Sequence, residues 1–159
     1  MARGERMKIN TRTVKEAGQI TIVSRISPQE IDSNPPYGVS YLELFQCRVF
    51  AAAFENEVLI QGQVEGRANF TCSRCLNEYP QAIAADYEVT ADTQQGDVDL
   101  SKEISQAVIL ALPMKPLCKD KCLGLCPHCG QNLNINSCRC KPDAVHSFPK
   151  ILKNLNTGL

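Results

Sequence analysis

The chain has 159 residues, 43% of them hydrophobic, which is about one domain with enough apolar side chains for a buried core. Lys+Arg and Asp+Glu both number 17, and the zero net charge excludes a uniformly basic nucleic-acid coat or an acidic solvating tail. No apolar run approaches the roughly 18 residues of a membrane span, and the polar start Met1-Ala-Arg-Gly-Glu-Arg-Met-Lys8 shows no secretory signal. The expectation is a cytoplasmic protein whose thiols stay reduced, so that its nine cysteines are read as metal ligands before disulfides.

In chain order, Gln19–Ile26 reads as a strand through Ile20, Ile22 and Ile26. Ser27-Pro28-Gln29-Glu30 has the form of a capping box with proline at the first helical position, and Asn34-Pro35-Pro36 ends that turn. Phe45, Cys47, Val49 and Ala51 share one face of a second strand, which Glu55-Asn56 turns into Glu57–Glu65. There Val58, Ile60 and Val64 point inward, and Gly66–Thr71 follows with Ala68 and Phe70 inward. Gln81–Thr90 alternates most cleanly, with Ile83, Ala85, Tyr87 and Val89 on one side, the period of a half-buried strand. Residues 91–98 read as a polar loop, and Asp99 opens a helix of about 99–112 through Leu100, Ile104, Val108 and Ala111 that Pro113 stops. The fold class expected is α+β: an antiparallel short-strand sheet or open barrel with one main helix and a zinc-stapled, Cys-rich C-terminal tail.

Charge divides the chain in the same place. Residues 1–112 carry 10 Lys/Arg and 15 Asp/Glu, whereas residues 113–159 carry 7 Lys/Arg and 2 Asp. This gives an acidic body (1–112), a Cys-rich segment (113–142) and a basic C-terminus (143–159). The middle segment has only Met114, Leu117, Leu123, Leu125, Leu133 and Ile135 as large apolar side chains, too few to offset its ordering entropy without a staple.

The cysteines supply one. They fall as Cys72-x2-Cys75, Cys118-x3-Cys122, Cys126-x2-Cys129 and Cys138-x-Cys140, with Cys47 alone on a core face. Eight paired ligands suit two tetrahedral Zn2+ ions, each closed by four thiolates and therefore structural. Cys126-Pro-His-Cys129-Gly130 is the most specific motif, since proline fixes the entry and glycine permits a positive φ. The preferred grouping is Cys72, Cys75, Cys118 and Cys122 for one ion, with Cys126, Cys129, Cys138 and Cys140 for the other. An interleaved grouping satisfies the same spacing.

Cys72-Ser-Arg-Cys75-Leu76, the helix end Leu110-Ala-Leu-Pro113, Leu117-Cys118, Cys122-Leu-Gly-Leu-Cys126-Pro-His-Cys129-Gly130-Gln-Asn-Leu-Asn134 and Cys138-Arg-Cys140 together resemble the YceD family, over roughly residues 40–142. The resemblance implies a large ribosomal RNA subunit accumulation protein, with a role in ribosome biogenesis or RNA processing and no catalytic residue to carry over. The expected partner is large-subunit ribosomal RNA or a pre-ribosomal particle, with no membrane and no small-molecule substrate. Lys115, Lys119, Lys121, Arg139 and Lys141 are the candidate phosphate contacts, joined by Arg74 between two cysteines. The plain alternative is a solvated surface, with Arg74 paired to Glu78. A second functional reading is a docking adaptor, in which the acidic body steers a basic ribosomal protein or a processing enzyme. A thiol redox or zinc enzyme is a third, poorly served by ligands that come in complete fours and by only two histidines, His128 and His146.

Overall fold

The computed structural model describes residues 7–31 and 35–140. Lys141, His146 and the apolar stretch Ser147–Leu159 lie outside the described residues. The elements are β1 (Lys8–Asn10), α1 (Thr11–Ala17), β2 (Gln19–Ile26), α2 (Pro28–Ile31), β3 (Val39–Tyr41), β4 (Phe45–Phe54), β5 (Glu57–Thr71), β6 (Glu78–Asp92), β7 (Asp97–Asp99) and α3 (Ser101–Ala111).

The main sheet is antiparallel throughout. β2 pairs β4, and β4 pairs Glu57–Glu65 of β5 across the turn at Glu55-Asn56. β6 runs along the other edge of β5 for its full length, from Glu57↔Asp92 to Thr71↔Glu78. The short β3 takes up Ala68–Phe70, past the point where β4 leaves. β2 and β6 each have one neighbour, so the sheet stays open rather than closing into a barrel. A two-stranded ladder of β1 and β7 completes the fold.

The even-numbered positions of β5 carry the core, as the alternation predicts. Val58, Ile60, Val64 and Ala68 are fully buried, together with Phe45, Cys47, Val49 and Ala51 of β4. Val14 of α1, Ile31 of α2, and Ile104 and Val108 of α3 join the same cluster, so the helices cover one sheet face. Arg48, Gln61, Gln63, Asp86 and Glu88 face outward. Among the described residues, no helix is long and apolar enough to cross a membrane.

Several local expectations change. β5 and β6 are 15 residues each, so this pair of strands is long rather than short. Gly66 does not start a new strand: a Cβ there would meet the Phe45 ring at 2.5 Å, and the glycine instead makes room for that ring while β5 runs through. The loop expected over residues 91–98 is partly strand, because Asp97–Asp99 pairs with Lys8–Asn10. Asp99 lies one residue outside the helix cap, at Leu100, and accepts from the Ser101 amide at 3.0 Å and the Ser101 hydroxyl at 2.6 Å. Ala111 is exposed, so the buried stripe of α3 ends at Val108.

This topology positions the cysteines. The β5–β6 hairpin closes through Cys72–Asn77, with the Leu76 amide on the Cys72 carbonyl at 3.0 Å and Leu76 at φ 58°. α3 packs against β6 and releases the chain at Leu112, from which it reaches Cys118 near the same hairpin end.

Candidate metal centre

The folded chain gathers eight of its nine cysteines into two groups. Cys72, Cys75, Cys118 and Cys122 form an inner group, and Cys126, Cys129, Cys138 and Cys140 an outer one. Within each, the four Sγ atoms all lie within 4.8 Å of one another. This grouping is the one preferred from the sequence; the interleaved alternative is not the arrangement adopted. Cys47 stands apart, buried under the sheet with its sulfur 3.6 Å from the Tyr87 hydroxyl.

The inner group is the more enclosed. Cys72, Cys75 and Cys122 are buried and Cys118 half-buried. Its sulfurs approach at 3.8 Å (Cys72–Cys122) and 3.6 Å (Cys75–Cys118). Four sulfurs placed tetrahedrally about 2.3 Å from one ion would be separated by about 3.8 Å. The observed contacts match that edge, and they are far longer than the roughly 2.05 Å of a disulfide. The donor set and its spacing therefore fit a metal ion of tetrahedral preference.

Backbone amides aimed at sulfur strengthen the fit. At Cys72 burial works against ionisation, yet the amides of Cys118, Cys75 and Arg74 outweigh it and bring the thiol down to about 6. In the outer group the amides of Cys129 and His128 likewise bring Cys126 down to about 6. Their neighbours move the other way. Burial, followed by the hydrogen-bonded sulfurs of Cys75, Cys122 and Cys72, pushes Cys118 up to about 12. Cys140 rises to about 12 through its contact with Cys129 and through burial. Four thiolates this close repel one another, and a cation among them removes that penalty. Each group could thus hold a metal ion.

The two groups share a packed junction. Ser73 donates its amide to Pro116 O at 2.8 Å, and Leu125 donates to Arg74 O at 3.1 Å. Arg74 is exposed along much of its length, and its Nη1 donates to the Cys122 carbonyl at 2.9 Å. That contact binds one knuckle to the other and is neither of the two roles read from the sequence. Gly124, at φ 76°, lies so close that a Cβ would stand 3.2 Å from Arg74 O. In the outer loop Cys126 donates to Gln131 O at 2.8 Å and Gly130, at φ 72°, donates to Cys126 O at 2.9 Å.

Asn134 joins the inner group although it is not a metal ligand. Its Nδ2 lies 3.3 Å from Cys122 Sγ, and its Oδ1 accepts from the Leu123 amide at 2.9 Å. The signal was only a polar residue at a fixed distance from both groups, in Gln131-Asn-Leu-Asn134. Of the other candidates, Lys115, Lys119, Lys121 and Arg139 are all exposed, and His128 is exposed within its knuckle.

Comparison with known proteins agrees with the motif reading. Residues 84–156 match the family described as large ribosomal RNA subunit accumulation protein YceD. The match starts within β6, later than the resemblance read from residue 40, so it contains six of the paired cysteines and leaves out Cys72 and Cys75; it also continues past Cys140. A chloroplastic YCED homolog 1 of Zea mays, named as a large ribosomal RNA subunit accumulation protein, is 35% identical over 75 residues, 46% of this chain and 26% of that protein. An uncharacterized protein of Mycobacterium leprae is 32% identical over 94 residues, 48% of this chain and 43% of that one. One of Mycobacterium tuberculosis is 35% identical over 92 residues, 46% of this chain and 44% of the relative. The matched region thus spans less than half the length of each of these relatives. No solved structure matches the chain.

Proposed function

We propose, from this YceD-family relationship, that the chain supports accumulation of large-subunit ribosomal RNA as a non-catalytic, zinc-stapled factor that contacts RNA or a pre-ribosomal particle. The observation that carries the structural half is the completeness of both four-cysteine groups. Each group supplies four thiolates, which closes a tetrahedral ion and gives the site a structural character. Bound zinc would supply cross-linking, with Cys72 and Cys75 held to Cys118 and Cys122 so that the tail stays on the hairpin end. A structural site of this kind contributes about 10–16 kcal/mol of apparent binding free energy near neutral pH, ample for a segment so poor in apolar surface.

The RNA half rests on the family's name and on charge. Lys115, Lys119, Lys121 and Arg139 are exposed around the two groups, and Lys141 follows them in sequence. Rigid loops carrying cations would neutralise phosphates without losing much side-chain freedom. Arg74 adds its charge while its guanidinium braces the Cys122 carbonyl.

Ultraviolet crosslinking of the tagged chain in growing cells, with the bound RNA sequenced, tests this reading. Reads concentrated on one region of large-subunit ribosomal RNA or its precursor are expected. Background reads from a chain that still sustains ribosomal RNA levels would transfer the role to a protein-docking adaptor.

A further inference from the structure

The two four-cysteine groups differ in exposure and are joined by one side chain. In the outer group Cys126 is buried, Cys138 half-buried and Cys129 exposed, whereas three of the four inner sulfurs are buried. Burial slows the approach of a competing chelator, so the outer ion exchanges first.

Asn134 lies on the outer loop, between Cys129 and Cys138, and reaches the inner group. The orientation of its amide is fixed by its partners. The Leu123 amide can only donate, so Oδ1 faces it and Nδ2 must face Cys122 Sγ and Asn132 Oδ1, at 3.3 and 2.8 Å. Asn132 Oδ1 also accepts the Asn134 amide at 2.9 Å, and Leu133 donates its amide to Gly124 O at 2.9 Å. The loop that holds Asn134 is therefore anchored to the strip 122–125, and its two ends are fixed by outer-group ligands.

We infer that the outer site controls the inner one: an ion held by Cys126, Cys129, Cys138 and Cys140 orders the 131–136 loop and presents the Asn134 amide to the Cys122 thiolate. An N–H aimed at a metal-bound sulfur spreads its negative charge and orients it, and removing such an outer-shell partner typically costs about 10–100-fold in metal affinity. Loss of the outer ion frees that loop and weakens the inner ion by the same route, and the coupling is reciprocal. The hairpin-to-tail staple thus responds to an exchangeable metal that does not touch it. This inference rests on the zinc reading above.

The test is exchange of the bound zinc of the full chain for isotopically enriched Zn2+ supplied in excess, so that the outer site stays occupied throughout, read by native mass spectrometry. The wild-type chain is expected to carry two Zn2+ and to exchange them in a fast outer and a slow inner phase. Asn134→Ala should leave the fast amplitude at one ion and accelerate the slow phase about 10-fold or more. Asn134→Asp keeps the acceptor for Leu123 but puts a carboxylate beside sulfur, and should accelerate it at least as much. Cys129→Ser/Cys138→Ser should bind one ion and exchange it at the Asn134→Ala rate, with no further acceleration when combined with Asn134→Ala. Circular dichroism of the sheet checks that each variant folds. Two ions with a slow phase unchanged in the Asn134 variants, or in the outer-site variant, would overturn the coupling and leave the zinc reading standing. A wild-type chain without metal would overturn both.

Discussion

The Tyr87 ring lies directly over Gly62 of the neighbouring strand, so closely that a Cβ on Gly62 would fall 2.0 Å from the ring Cζ. A glycine in mid-strand normally weakens it. Here it opens a lane through the core along which Tyr87 reaches the Cys47 sulfur, at 3.6 Å. Gly62→Ala should therefore destabilise the chain by about 1–3 kcal/mol, as overpacking does. Gly66→Ala should do the same against Phe45. Chemical denaturation measures both. Replacing Tyr87 by Ala should remove most of the Gly62→Ala penalty, because the two residues share one space.

Cys47 makes a pH prediction. Burial pushes its thiol above the ordinary 9.0, outweighing the Tyr87 hydrogen bond that lowers it. An acid whose folded pKa is raised contributes stability that is fully present below the unfolded value and is lost as pH rises through the folded one. Stability should thus decline above about pH 9, and the decline should be smaller in Cys47→Ala than in the parent chain. Denaturant midpoints from pH 7 to 10, compared between the two, check this.

Asn10 caps α1 with its side chain. Its Oδ1 accepts from the amides of Arg12 and Thr13 at 3.1 and 3.2 Å, and its Nδ2 donates to Asp97 Oδ1 at 2.7 Å. It therefore starts α1 and ties the β1–β7 ladder. Asn10→Ala should cost about 1 kcal/mol for the cap alone, measurable as a shift in thermal midpoint. Asn10→Asp keeps the acceptors but sets a carboxylate against Asp97, and should recover only part of the loss.

The exposed cations make a salt prediction. If Lys119, Lys121 and Arg139 each neutralise one phosphate of a single strand, changing all three to Gln should flatten the slope of log Kobs against log salt by about 2. Filter binding of large-subunit ribosomal RNA fragments at several salt concentrations reads this directly. An unchanged slope would return these side chains to ordinary solvation.

What the sequence made legible follows the strength of its periodicities. The alternation of Ile83, Ala85, Tyr87 and Val89 marked β6, and the Ser27-Pro28-Gln29-Glu30 box marked α2, where Glu30 accepts from the Ser27 amide at 3.0 Å. Gly66 looked like a break because glycine carries no sign of the ring that fills its space. β1, α1, β3 and β7 were missed because three-residue strands and a seven-residue helix are too short to establish a period. Asn10 before Thr11 and Gly18 after Ala17 were the available signals for α1. At the site, spacing was enough to put four sulfurs in each group, because two close pairs reach one centre with little chain between them. Spacing could not show that Asn134 touches Cys122, or that Arg74 turns inward to its carbonyl. Both are contacts between segments whose approach is set by the hairpin, not by local sequence.

The most direct measurement is native mass spectrometry of the full chain, purified without chelator, beside Cys72→Ser/Cys75→Ser and Cys129→Ser/Cys138→Ser. Two closed sites predict two zinc ions in the parent chain and one in the outer-site variant. In the inner-site variant the outer ion should remain while the tail becomes protease-sensitive. A parent chain without zinc, or one in which a single pair of substitutions removes both ions with the sheet intact, would contradict two separate structural sites.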